Sequence, residues 1–176
     1  NLLNWQLQME REPVKFFEVT IFDALKKSRQ ALGNYLNCPS DDLVYFPNPT
    51  TAVNAVSRSL KLEPRDEVLS TNHIYGALDR TWKYICEKNG AEFVKADIPF
   101  PIQSKDEFLN SFFKAVTSKT RVIFLSHITS MTAMIFPVEE VVEFARENNI
   151  LSIIDGAHVP GHIPLNINTL NPDIYT

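Results

Sequence analysis

Asp155 and His158 close the run Leu151-Ser152-Ile153-Ile154-Asp155-Gly156-Ala157-His158. A short apolar run of this kind reads as a buried strand. This one stops on a carboxylate, a glycine, a small residue and an imidazole. An ionised carboxylate at the end of a buried strand is costly unless a cation or a hydrogen-bond donor meets it. Open α/β sheets place ligand groups at the carboxyl ends of their strands. Asp155 therefore asks for a cationic partner, and a ring nitrogen held protonated is one candidate. The competing reading makes Asp155 the cap of the next turn and His158 an ordinary surface or core histidine.

Three other stretches have the same form. Thr50 and Thr51 follow Pro47-Asn48-Pro49 and open a helix with Val53, Val56 and Leu60 on one face. Proline and hydroxyl residues are helix-start signals, and the free amides of a helix N-terminus take anions. Phosphate binding is one reading there, and a plain N-cap is the other. Glu67-Val68-Leu69-Ser70 reads as a strand that runs into Thr71-Asn72-His73-Ile74-Tyr75-Gly76. His73 and Tyr75 are flat, polar-tipped rings that could stack on a planar ligand, or serve as turn residues against the following helix. Arg121-Val122-Ile123-Phe124-Leu125 opens onto Ser126-His127-Ile128-Thr129-Ser130. In a parallel sheet all these carboxyl ends share one edge. Together they describe a phosphate cradle, a stacking ring, hydroxyl donors and a buried carboxylate. A phosphorylated aromatic cation would satisfy all four.

The elements that must position these groups alternate. Residues 1–19 predict a helix or docking arm broken at Pro13, and residues 20–36 a helix with Ile21, Leu25, Leu32 and Leu36 near helical spacing. Leu43-Val44-Tyr45-Phe46 and Ala91-Glu92-Phe93-Val94 read as further strands. A helix carrying Leu78, Trp82 and Ile85 ends near Gly90. Ser104-Lys105-Asp106-Glu107 fits a capping box, with Phe108, Leu109, Phe112 and Phe113 behind it as core. Pro137 starts a helix with Val138, Val141, Val142 and Ala145. Strand and helix in alternation predict an α/β fold with a mainly parallel sheet flanked by helices.

Composition sets the outer limits. The chain has 176 residues, 44% hydrophobic and 22% charged, as in an ordinary globular protein with a sizeable core. A net charge of -4 gives no general attraction to nucleic acid or to an anionic membrane. No run is apolar and long enough for a membrane span. Two cysteines, Cys38 and Cys86, make neither a disulfide framework nor a metal site, and fit a reducing cytosol. Asp155, His158, His162 and His127 match no metal-ligand spacing. A G-x-G-x-x-G turn, a Walker loop and a G-x-S-x-G elbow are all missing. The chain starts at Asn1 and stops at Asp173-Ile174-Tyr175-Thr176, which reads as the opening of a strand. That predicts a piece of a longer protein.

These residues carry a resemblance. Asn48-Pro49-Thr50-Thr51-Ala52-Val53-Asn54, Asn72-His73-Ile74-Tyr75-Gly76-Ala77, Ser126-His127-Ile128-Thr129-Ser130 and Asp155-Gly156-Ala157-His158 come in the order of the class V aminotransferase superfamily, pyridoxal phosphate fold type I. Met9-Glu10-Arg11-Glu12-Pro13, followed by Phe16-Phe17, is similar to the early segment of its isopenicillin N epimerase-like branch. The resemblance implies that residues 1–36 form an N-terminal helical arm. It implies that residues 37–176 form an incomplete large domain that binds pyridoxal 5'-phosphate.

By the same resemblance Asp155 pairs with the pyridine nitrogen and, with His73 stacked on the ring, makes the catalytic pair. Tyr75 is the second choice for stacking. Thr50, with Thr51 beside it, holds the phosphate. Ser130 or Thr129, and His158, contact the ring hydroxyl. The family's cofactor-bearing lysine follows a histidine a few residues after the segment matching Asp173–Thr176, and no lysine of this chain sits at a matching position. The resemblance implies an amino-acid substrate, a cytoplasmic homodimer, and an epimerase-, C–S lyase- or desulfurase-like reaction. Two other readings stay open: a non-catalytic binding module of the same fold, and a Rossmann-like enzyme with another ligand.

Overall fold

The computed structural model describes residues 1–176, in two compact units, Asn1–Tyr45 and Phe46–Thr176. The first unit is helical. Helix α1 (Leu2–Arg11) ends where Glu12 leaves helical geometry (φ -139°, ψ 65°), immediately before Pro13. Proline has no N–H to continue a helix and disfavours helical geometry in the residue before it, so the break falls where the sequence puts it. Helix α2 (Pro13–Lys15) passes through a π-turn, Phe16–Thr20, into α3 (Ile21–Leu36). Asn37 closes α3 in the left-handed conformation (φ 54°). A 3-10 turn, Ser40–Asp42, follows.

Leu43-Val44-Tyr45-Phe46 is not a strand. It is irregular, and Val44, Tyr45 and Phe46 are exposed at 74%, 48% and 42%. An apolar run becomes a strand only with a neighbour to pair with and a face to bury, and this run has neither. Within the first unit the Tyr45 hydroxyl lies 2.7 Å from Ser28 Oγ.

The second unit is the α/β body. Its elements run α4 (Pro49–Ser59), β1 (Glu67–Thr71), α5 (Gly76–Asn89), β2 (Glu92–Ala96), α6 (Lys105–Phe113), β3 (Thr120–Ser126), α7 (Val138–Glu147), β4 (Leu151–Asp155), α8 (Ile167–Leu170) and β5 (Ile174–Tyr175). The strands pair in the order β2-β1-β3-β4-β5, all parallel. Two expected terminators are in place. Gly90 ends α5 in the left-handed conformation (φ 68°), and Ser104 Oγ accepts the Glu107 N–H at the start of α6.

Side chains alternate across the sheet and build a core on each face. On β3, Val122 and Phe124 join Val53, Leu78 and Trp82 in one cluster. Ile123 and Leu125 join Phe108, Phe112, Val141 and Val142 in the other. Strand order reverses between β1 and β3, the place where doubly wound sheets open a crevice at their carboxyl edge. No helix is long and apolar enough to cross a membrane.

Candidate active site at the carboxyl edge of the sheet

A cavity of about 250 Å³ opens at that edge. It is walled by Thr50 at the start of α4, Tyr75 after β1, Ser126 and Ser130 at and after β3, and Asp155 and His158 at and after β4. Leu78 and Ile128 supply apolar wall. Five residues singled out from the sequence, Thr50, Tyr75, Ser130, Asp155 and His158, thus share one concave surface.

Asp155 is the buried charge of the site, 6% exposed. Its only side-chain hydrogen bond is accepted from the Ala157 N–H at 3.1 Å. Burial pushes its carboxyl above the ordinary value, while the Ala157 N–H and the nearby His158 pull it back. No ion pair reaches it among those of the chain. His158 is exposed at the mouth.

At the other end, Asn48 caps α4. Its Oδ1 accepts from the Thr51 N–H at 2.8 Å and from the Thr51 hydroxyl at 3.1 Å. The Thr51 hydroxyl is therefore spent on the cap, and Thr51 does not reach the cavity wall. Thr50 does, at the first turn, where Pro49 has no N–H and the Thr51 N–H is taken by the cap. Asn54, one turn on, ties α4 to α5 through its bond to the Thr81 hydroxyl at 3.1 Å.

Tyr75 and His73 separate. Tyr75 lines the cavity and is 44% exposed. His73 turns the other way. Its Nε2 lies 3.0 Å from the Ile98 carbonyl oxygen, and its ring sits beside Phe100 and Phe136. Ser130 and Thr129 separate too. The Thr129 hydroxyl accepts the Met134 N–H at 2.9 Å and pairs with the Thr132 hydroxyl at 2.7 Å, so it closes a turn instead of facing the cavity.

Tyr175 was not visible as a site residue in the sequence. Its ring lies against Gly156, where a Cβ would collide with it, and its hydroxyl is 3.0 Å from His127 Nδ1. The glycine after Asp155 was the available signal, since such a position often marks a close approach.

A larger cavity, about 630 Å³, is lined by Phe100, Phe108, Met134, Phe136 and His127. Of the polar residues named at the strand ends it contains only His127, and its wall mixes aromatic core with loop residues and the charged Lys105, Glu139 and Glu140. We place the candidate site in the smaller cavity, where the buried carboxylate and the helix start are. No group of three or more His, Cys, Asp or Glu side chains converges for a metal ion.

The comparisons with known proteins agree with this fold. A family model described as aminotransferase class-V matches residues 4–176. The isopenicillin N epimerase of Streptomyces clavuligerus is 29% identical over 171 residues, covering 97% of this chain and 43% of that protein. A probable L-cysteine desulfhydrase, chloroplastic, of Arabidopsis thaliana is 26% identical over 188 residues, 98% of this chain and 40% of its own. The crystal structure of a cysteine desulfurase from Escherichia coli matches with a TM-score of 0.77 at 22% identity, over 91% of this chain and 41% of that one. At that identity the structural likeness speaks for the fold alone. The chain spans about 40% of the length of the curated relatives it matches.

Proposed function

The chain belongs to the class V aminotransferase family, and from that premise we propose that it forms the N-terminal part of a pyridoxal 5'-phosphate enzyme acting at Cα or Cβ of an amino acid. The observation that carries this reading is the single cavity shared by Thr50, Tyr75, Ser130, Asp155 and His158. Its donor set fits the cofactor. Asp155 is buried without an ion pair, the Thr50 hydroxyl stands at a helix start, and Tyr75 offers a ring face.

Pyridoxal phosphate, when bound, supplies a protonated aromatic ring that draws electrons from the substrate's Cα. The chain's own residues do the rest. Asp155 holds the proton on the ring nitrogen, because a low-dielectric carboxylate gains most by facing a cation. The Thr50 amide and hydroxyl at the start of α4 bind the phosphate. Tyr75, the second choice by resemblance, flanks the ring, since His73, the first choice, is bonded to the Ile98 carbonyl. Ser130 and His158 orient the ring hydroxyl, with Thr129 shaping the turn that presents Ser130. Thr51 acts through the helix cap.

The lysine that carries the cofactor lies, by the family's pattern, after the segment matching Asp173–Thr176. The intact protein is a cytoplasmic homodimer in this reading. The epimerase and desulfhydrase relatives support an amino-acid substrate and a reaction of those types.

The test is made on the natural full-length protein. It is incubated with pyridoxal phosphate, reduced with borohydride and mapped by mass spectrometry. The expected adduct is on a lysine just beyond Thr176. A folded protein that gains no adduct supports the non-catalytic module instead.

A further inference from the structure

Asp155 is held mainly from behind. On its own loop it has one hydrogen bond, from the Ala157 N–H. Its backbone carbonyl accepts the His127 N–H at 2.8 Å, and the next residue, Gly156, donates its N–H to the Thr176 carbonyl at 2.7 Å. The ends of β3, β4 and β5 are thus joined around it. Tyr175 fills the space beside Gly156, and its hydroxyl meets His127 Nδ1 at 3.0 Å. Neither Tyr175 nor His127 lines the cavity that holds the Asp155 carboxylate.

The chemistry of this pair suits a fixed support. Burial pushes the Tyr175 phenol up, with the nearby Asp155 and Glu139 charges adding to it, so the ring keeps its proton. Burial pulls the His127 imidazole down against the opposing charge of Glu139. A neutral phenol and a neutral imidazole share one hydrogen bond and need no counter-ion beside Asp155.

We propose that His127 and Tyr175 are positioning residues for Asp155. Their hydrogen bond locks the Tyr175 ring on Gly156, keeps water off the back of the carboxylate, and fixes its direction into the cavity. This rests on the cofactor reading above. It assigns the pair a role through Asp155, not through contact with cofactor or substrate. Loosening the ring lets water in, raises the local dielectric and weakens any pairing of Asp155 with a ring cation.

The test uses the natural full-length protein and two ligands. One is pyridoxal phosphate, and the other is its analogue with carbon in place of the ring nitrogen. Equilibrium titration gives both affinities for the wild type, Asp155→Ala, Tyr175→Phe, His127→Phe and His127→Asn. Tyr175→Phe and His127→Phe are expected to weaken pyridoxal phosphate about threefold to tenfold, the worth of one hydrogen bond. They should shift its visible absorbance and leave the carbon analogue unchanged. His127→Asn, which keeps an acceptor near the Nδ1 position, is expected to restore most of the loss.

Equal losses for both ligands, or no loss for pyridoxal phosphate, would overturn the positioning role. A different failure marks the cofactor reading itself. There the wild type would bind no pyridoxal phosphate, or Asp155→Ala would not distinguish the two ligands, and the positioning role would fall with it.

Discussion

The Tyr175 ring occupies the space that a Cβ on residue 156 would need. Glycine at 156 and an aromatic ring at 175 therefore specify one another across β4 and β5. Gly156→Ala forces the ring out and is expected to destabilise the fold by about 1–3 kcal/mol, the usual range for overpacking. Tyr175→Phe gives no relief, because the colliding atoms include ring carbons. Tyr175→Ala does. Denaturant unfolding should show the Gly156→Ala, Tyr175→Ala double variant losing less than the sum of the two single losses. Simple additivity would mean that the two positions do not meet.

Asp155 should trade stability against binding. Its carboxyl is raised in the folded chain, chiefly by burial, so the folded state holds that proton more readily than the unfolded state. Stability from this group is full below the unfolded value and is lost as pH rises through the folded one. Burial penalises the charged form of this group, which has one hydrogen bond and no ion pair. Asp155→Asn is expected to stabilise the cofactor-free protein by roughly 1 kcal/mol at neutral pH, with the gain shrinking in acid. Thermal unfolding of the cofactor-free protein at neutral and acid pH measures this. A lower Tm for the variant at neutral pH would argue that Asp155 already has a partner.

The start of α4 divides its labour among three residues. Asn48 caps the helix, so Asn48→Ala should cost about 1 kcal/mol of stability. Thr50 faces the cavity while Thr51 bonds the cap. Thr50→Val should weaken pyridoxal phosphate by about tenfold to a hundredfold, as expected for one lost hydrogen bond to a charged group. Thr51→Val should change that affinity less than about twofold. The same titration with inorganic phosphate as competitor checks both. Equal effects of the two variants would break the assignment.

The body of the fold was readable because its central strands are apolar on both faces. Val68 and Leu69, Val122 to Leu125, and Ile153 and Ile154 are all buried, and no other element type suits such short runs between turn signals. Leu43 to Phe46 carries the same local signal, but pairing is a property of the neighbour, which a local pattern does not contain. Strand β5 has two residues, and Asp173 pins its approach by accepting the Ser152 N–H and hydroxyl at 2.8 and 2.7 Å.

The lining of the candidate cavity was readable to the level of the strand end and no further. Asp155, Ser130 and Thr50 follow from the rule that ligand groups gather at carboxyl edges and helix starts. Which of two neighbours faces the cavity does not follow from that rule. His73 against Tyr75, and Thr129 against Ser130, are decided by loop contacts to Ile98 and Met134. The link from His127 to Tyr175 spans 48 residues and is set by sheet order, which the sequence implies only once the strands are placed.

The central claim is that this cavity holds pyridoxal phosphate with Asp155 at its ring nitrogen. The most direct measurement is a visible-absorbance titration of the natural full-length protein with pyridoxal phosphate, run beside Asp155→Ala. A saturable band is expected in the wild type, and a weaker, shifted band in a variant that still folds. No band in the folded wild type, or an identical band and affinity in Asp155→Ala, would contradict it.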